Sequence, residues 1–178
     1  MTIEIATPLA TARGSKRAVI TKGGEEYLWK TTERAKTPWQ PSNQTDPESN
    51  ILDFCFTPTE EIAKIVAAVE REALEIVTKD PKTYLGAQLS LEVVQARFVS
   101  ILKTRARGAP NFKTKGRCGH LKFWEAKWQR LKDPSVFASD NQYQFVVKIS
   151  SLCVGEKFGN AFDLQHLQIF QEARLFKP

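Results

Sequence analysis

Two β-type runs, YQFVVKISSLCV (143–154) and AFDLQHLQIFQ (161–171), flank the turn-forming GEKFGN (155–160), and no other feature of the chain restricts its fold as much. Branched and aromatic residues at alternate positions, bounded by glycines, predict an antiparallel hairpin. Alternation places Val147 and Ile149 on one face. In the second run Phe162 and Leu164 share one parity while Leu167 and Ile169 share the other. A one-residue slip in a strand flips every later side chain, so a β-bulge near Gln165–His166 is needed to keep all four inside. Such a bulge also bends its strand, and small barrels need strong coiling to close. Val147, Ile149, Phe162, Leu164, Leu167 and Ile169 are therefore expected to be buried. Phe158, in the turn, reads either as an exposed stacking tip or as an aromatic closing the barrel end.

Upstream, residues 1–50 alternate short β-prone pieces with turn-formers and end in TPWQPSNQTDPESN, an exposed loop around 37–50 whose prolines remove backbone donors. ILDFCF (51–56) reads as a strand. After it Thr57 is the expected N-cap, with Pro58 in the first helical position and Glu60 completing a capping box. Ile62, Ile65, Val66, Val69, Ala73, Ile76 and Val77 recur at helical spacing until Lys79-Asp80-Pro81. LSLEVVQARFVSILKTR (89–105) admits a Ser90-capped helix, but its β-branched and aromatic residues favour a strand over about Ala96–Thr104. LKFWEAKWQRLKDPS fits a short amphipathic helix or a strand with its turn. No repeat appears, and 178 residues suit one domain. The expected class is mostly β with one main α-helix, a five-stranded barrel in a single domain, 1–178.

Charge is unevenly placed. From Arg97 to Lys132 eleven basic residues face one acid, Glu125, a net of +10 within a chain whose total is +6. A concentrated patch attracts polyanions and speeds their capture, and nucleic acid is the first polyanion to consider. The competing reading is a solvated basic face with no dedicated partner. No apolar run approaches the roughly 18 residues that would span a bilayer, so no membrane partner is expected. Three scattered cysteines suit a reducing compartment, cytoplasm or nucleus, better than a disulfide framework.

The stretch VVKISSLCVGEKFGNAFDLQHLQIFQE, with Lys157, Phe158, Gly159, Leu164, Leu167 and Ile169, resembles the closing hairpin of the phage-type and virus-type single-stranded DNA-binding proteins. FCFTPTEEIAKIVAAVEREALEIV is similar to the helix that follows an early strand in that group. The resemblance implies an oligonucleotide-binding (OB) fold and sequence-tolerant binding of single strands in replication, recombination or repair, inside an infected host cell. It departs in one respect: the chain stops at ARLFKP, without the acidic tail through which those proteins recruit replication partners. Single-stranded DNA is the expected partner, with single-stranded RNA, replication proteins and a second copy of the chain left open.

A general binder of single strands needs cations along a groove and rings on which bases stack. Lys103, Arg105, Arg107, Lys113, Lys115 and Arg117 supply the cations of a basic finger around 103–120, two triplets of period two flanking Gly108-Ala109-Pro110-Asn111. Phe112 would stand near its tip. Trp124, Lys127 and Trp128 follow, and Trp29, Lys30, Arg34, Lys36 and Trp39 form an earlier group. Core filling competes with stacking for each tryptophan, and a disordered basic loop competes with the finger. Catalytic readings are weaker. Cys118-Gly119-His120 lacks the spacing of a zinc pair, no phosphate-binding glycine loop occurs, and no catalytic residue, metal or cofactor is expected. The alternatives kept are a small metal-dependent nuclease or resolvase, using distant acids such as Asp53 or Asp163, and an RNA-binding or structural nucleoprotein.

Overall fold

The computed structural model describes residues 2–38, 41, 51–103, 110–117, 120–124 and 141–170, with 123 and 124 as backbone only. In chain order these form β1 (Glu4–Ile5), β2 (Leu9–Ala10), β3 (Lys16–Lys22), β4 (Glu25–Glu26), β5 (Leu28–Lys30), β6 (Ala35–Lys36) and β7 (Ile51–Phe56). Three helices follow, α1 (Glu60–Lys79), α2 (Pro81–Leu85) and α3 (Leu91–Arg97). Last come β8 (Leu102–Lys103), β9 (Asn111–Arg117), β10 (Lys122–Trp124), β11 (Gln142–Val154) and β12 (Phe158–Phe170).

The hairpin of β11 and β12 is the centre of the molecule. Val146 pairs with His166 and Val147 with Leu164, so Gln165 is the extra residue of a bulge at the expected place. Leu164 and Leu167 then both face inward, and all six expected core residues are at most 2% exposed. A second register shift at Ser150 bends β11 as well. Phe158 begins β12, buried against Phe98 at 5.4 Å between ring centroids, which makes it the barrel-end aromatic.

Around this pair the hydrogen-bonded order is β1-β3-β11-β12-β9-β7, with β5 and β6 also on β11. Among the described residues there are twelve strands rather than five, most of them short and separated by turns such as Gly23-Gly24. The ladders do not close a circuit among the described residues. One backbone bond, Thr57 N–H to the Lys36 carbonyl at 2.8 Å, joins the end of β7 to β6 across the gap. The result is an OB-like, mostly β fold. Its interior is aromatic: Phe56 stacks on Phe145 at 4.4 Å, and Phe112 meets Phe162 edge to face at 5.5 Å.

Helix α1 buries Ile62, Val66, Val69, Ala73 and Val77, a stripe of helical period, against this core. Its N-cap is Thr59, whose Oγ accepts from Ile62 N at 3.3 Å, rather than Thr57. The backbone of Thr57 is committed to the seam with β6, so the helix begins two residues later. The strand expected over Ala96–Thr104 is also corrected. Ser90 caps α3, Val94 is wholly buried, and among the described residues of that stretch only Leu102–Lys103 is strand. Arg97 closes α3 onto the hairpin turn, donating to the carbonyls of Glu156 and Gly155 at 2.8 and 2.7 Å. Packing to α1 and this tie outweigh the β-propensity of the segment.

Candidate nucleic-acid interface

From Phe112 onward strand β9 alternates strictly. Phe112, Thr114 and Gly116 face inward and are buried, while Lys113, Lys115 and Arg117 are exposed. The inward side is crowded: a Cβ on Gly116 would come within 3.0 Å of Phe54, and Thr114 donates its hydroxyl to the Phe162 carbonyl. This packing holds the strand in register and aims its cations outward as a row.

Register carries that row across the sheet. Leu28 stands opposite Lys148, Lys148 opposite Asp163, Asp163 opposite Lys115, and Lys115 opposite Asp53. Beside it, Lys30 stands opposite Val146, Val146 opposite His166, and His166 opposite Lys122. Burial, together with the positive charge of Lys122, pushes the His166 imidazole below its usual pKa, so it is neutral at neutral pH. Where β3, β11, β12 and β9 come together the outer surface is concave, a groove of about 470 Å³. Arg13, Arg17, Lys115, Arg117 and Lys148 line it against two acids, Glu26 and Asp163, with His120, Ser150 and Gln165 adding further polar side chains. Glu26 is ion-paired to Lys148. The arrangement can hold a chain of negative charges and offers hydrogen-bonding groups between them.

Residues 104–109 of the expected finger lie outside the described residues. Lys103 pairs with Asn111 and Leu102 with Phe112, so β8 and β9 are antiparallel across the basic segment. Arg105, Arg107, Trp39, Lys127 and Trp128 lie outside the described residues, and Trp124 is described only as backbone in β10. Two ring assignments are corrected. Phe112 is 0% exposed, and Trp29 is 8% exposed with its ring edge-on to Phe145 at 6.3 Å. Both occupy inward parity on their strands, so neither ring is available to a base. Lys30, Lys36 and Arg34 are exposed on the β5–β6 side. The Arg34 guanidinium lies 3.7 Å from the Phe170 ring centroid, a cation–π contact.

Arg13, Arg17, Lys148 and His120 were not among the residues expected from sequence. The signal existed for two of them: Arg17 has the parity opposite to Ala18 and Ile20, and Lys148 the parity of Gln142 and Gln144. What the sequence lacked was the pairing that brings them to β9.

No family model and no curated protein matches the chain. Among solved structures, the single-stranded DNA-binding protein from bacteriophage Enc34 aligns over 97% of this chain and 93% of its own, with a TM-score of 0.51 and 9% identity. The structure of that protein in complex with single-stranded DNA aligns over 97% and 95%, with a TM-score of 0.49 and 8% identity. At such identity the likeness of the first is one of fold.

Proposed function

We propose that the protein binds single-stranded DNA without sequence preference and without catalysis, coating strands exposed in replication, recombination or repair. The observation that carries this reading is the groove. Cations from three chain-distant segments, Arg13 and Arg17, Lys115 and Arg117, and Lys148, line one concavity. Five cations face two acids there, and the excess positive charge raises the energy of the fold unless a further anion offsets it. The shared fold with a phage protein whose name states that activity supports the same reading.

The nuclease alternative is less well supported. Catalysis by metal needs carboxylates converging on the bound strand. Of the two acids in the groove, Glu26 is bound to Lys148, and Asp163 stands in register between Lys148 and Lys115. Among the described residues no group of three His, Cys, Asp or Glu is placed to hold a metal ion.

Competition between single-stranded DNA, single-stranded RNA and duplex DNA tests the proposal, at two salt concentrations, with and without magnesium. Single-stranded DNA should win over duplex, with affinity falling along a log–log salt slope of about −0.7 per phosphate contact. Equal duplex binding at both salts would reduce the groove to a generic polyanion patch. Magnesium-dependent loss of substrate would favour the nuclease, and equal RNA affinity the nucleoprotein.

A further inference from the structure

Three exposed apolar side chains border the cationic groove. Leu9, Val19 and Leu28 are 72, 54 and 54% exposed. Each is tied by register to the groove: Leu9 is opposite Arg17, Leu28 opposite Lys148, and Val19 opposite Ser151, the neighbour of Ser150. Residues directly opposed in an antiparallel pair project from the same face. Arg17 and Val19 also share the outward parity of β3, whose Ala18 and Ile20 are wholly buried. The aliphatic groups and the cations are thus parts of one outer surface, at the β3–β5 end of the groove.

We propose that Leu9, Val19 and Leu28 form an apolar shelf that receives the faces of bases from a strand whose phosphates lie on Arg13 and Arg17. The inference rests on the single-strand reading above and adds to it where the bases go. A strand following the cations turns its unstacked bases to one side of the phosphate chain. Every base has an apolar face, so an aliphatic shelf accepts any of them and leaves binding tolerant of sequence. Of the rings expected to stack, those of Trp29 and Phe112 are buried. Charge favours a nucleic acid over a second copy of the chain as the occupant. A two-fold contact centred on the shelf would bring Arg13 and Arg17 of one copy towards the same residues of the other.

The test uses the full chain carrying Val19→Ser and Leu28→Ser together. Both positions are more than half exposed, so the variant should keep the parent's circular dichroism and thermal midpoint. The probes are an oligothymidylate and an abasic deoxyribose-phosphate strand of the same length. Affinity for oligothymidylate should fall about fivefold to tenfold, within the range of losing contact with one base, while abasic binding and the salt slope stay at parent values. Unchanged oligothymidylate affinity overturns the shelf. An equal loss on both probes also overturns it, as does a parent that self-associates where the variant is monomeric. A parent that binds neither probe overturns the single-strand reading itself, so the two failures are distinct.

Discussion

Phe112 and Lys113 are neighbours with opposite roles: one ring is sealed between Phe145 and Phe162, and the next side chain is in water. Truncating Phe112 therefore removes core rather than a stacking surface. Phe112→Ala should cost about 3 to 5 kcal/mol of stability, read as a lowered urea midpoint, and any loss of DNA affinity should follow the unfolded fraction. A variant of parental stability that had lost affinity would restore the ring to the binding surface. Glu70 gives a second test. Its carboxylate accepts the Ile101 N–H at 2.7 Å, and burial raises its pKa above the ordinary 4.5 despite that bond. The folded state thus takes up the proton more readily than the unfolded one. The stabilisation from this uptake is fully present below about pH 4.5 and is lost as pH rises through the higher folded value. Glu70→Gln keeps an acceptor and removes the charge, so it should be more stable than the parent at pH 7, with the advantage gone at pH 4. A Gln variant weaker than the parent at pH 7 would show that the charged hydrogen bond outweighs desolvation.

At the scale of elements, the bulge at Gln165 decides which face of β12 meets the core. It lets one strand place Phe162 and Leu164, then Leu167 and Ile169, on the same side. Deleting Gln165 should turn either the first pair or the second out of the core. Exposing two large apolar side chains costs on the order of 3 to 6 kcal/mol, a large part of the stability of a typical domain. The deletion variant should be unfolded or show a collapsed thermal midpoint, whereas Gln165→Ala, which keeps the residue count, should stay close to the parent. This bulge was legible because parity is a local property of the chain. The extent of α3 was not, because the β-branched residues of 89–105 argue locally for a strand. The burial of Val94, the contact of α3 with α1 and the tie from Arg97 to the turn carbonyls are features that sequence spacing does not record.

For the whole molecule, the groove is a product of topology. Strand β9 touches β12 in parallel at Asp163–Lys115, and β3 joins the opposite edge of β11, so residues 13 and 17 reach residues 115 and 117. All four of these cations are exposed. Replacing Arg13, Arg17, Lys115 and Arg117 with alanine should leave unfolding within about 1 kcal/mol of the parent, weaken single-strand binding, and flatten the salt slope by up to about 3. Retained affinity in a folded variant would move the site off the groove, towards Lys30, Arg34 and Lys36.

By itself the sequence determined the hairpin, its bulge, the amphipathic α1 and the outward cations of β9, because each is written in the spacing of neighbouring residues and two periodicities, 2 and 3.6, decode them. It also held the excess of positive charge, though as a segment rather than a site. The tertiary structure alone decided which rings are hidden and which distant cations meet. Trp29 and Phe112 sit inward because their strands pair in a register set by the core, and Arg13, Arg17 and Lys148 join Lys115 and Arg117 only once β3, β11, β12 and β9 lie side by side. Pairing between strands far apart in the chain depends on the packing of both, and neither strand carries that information alone.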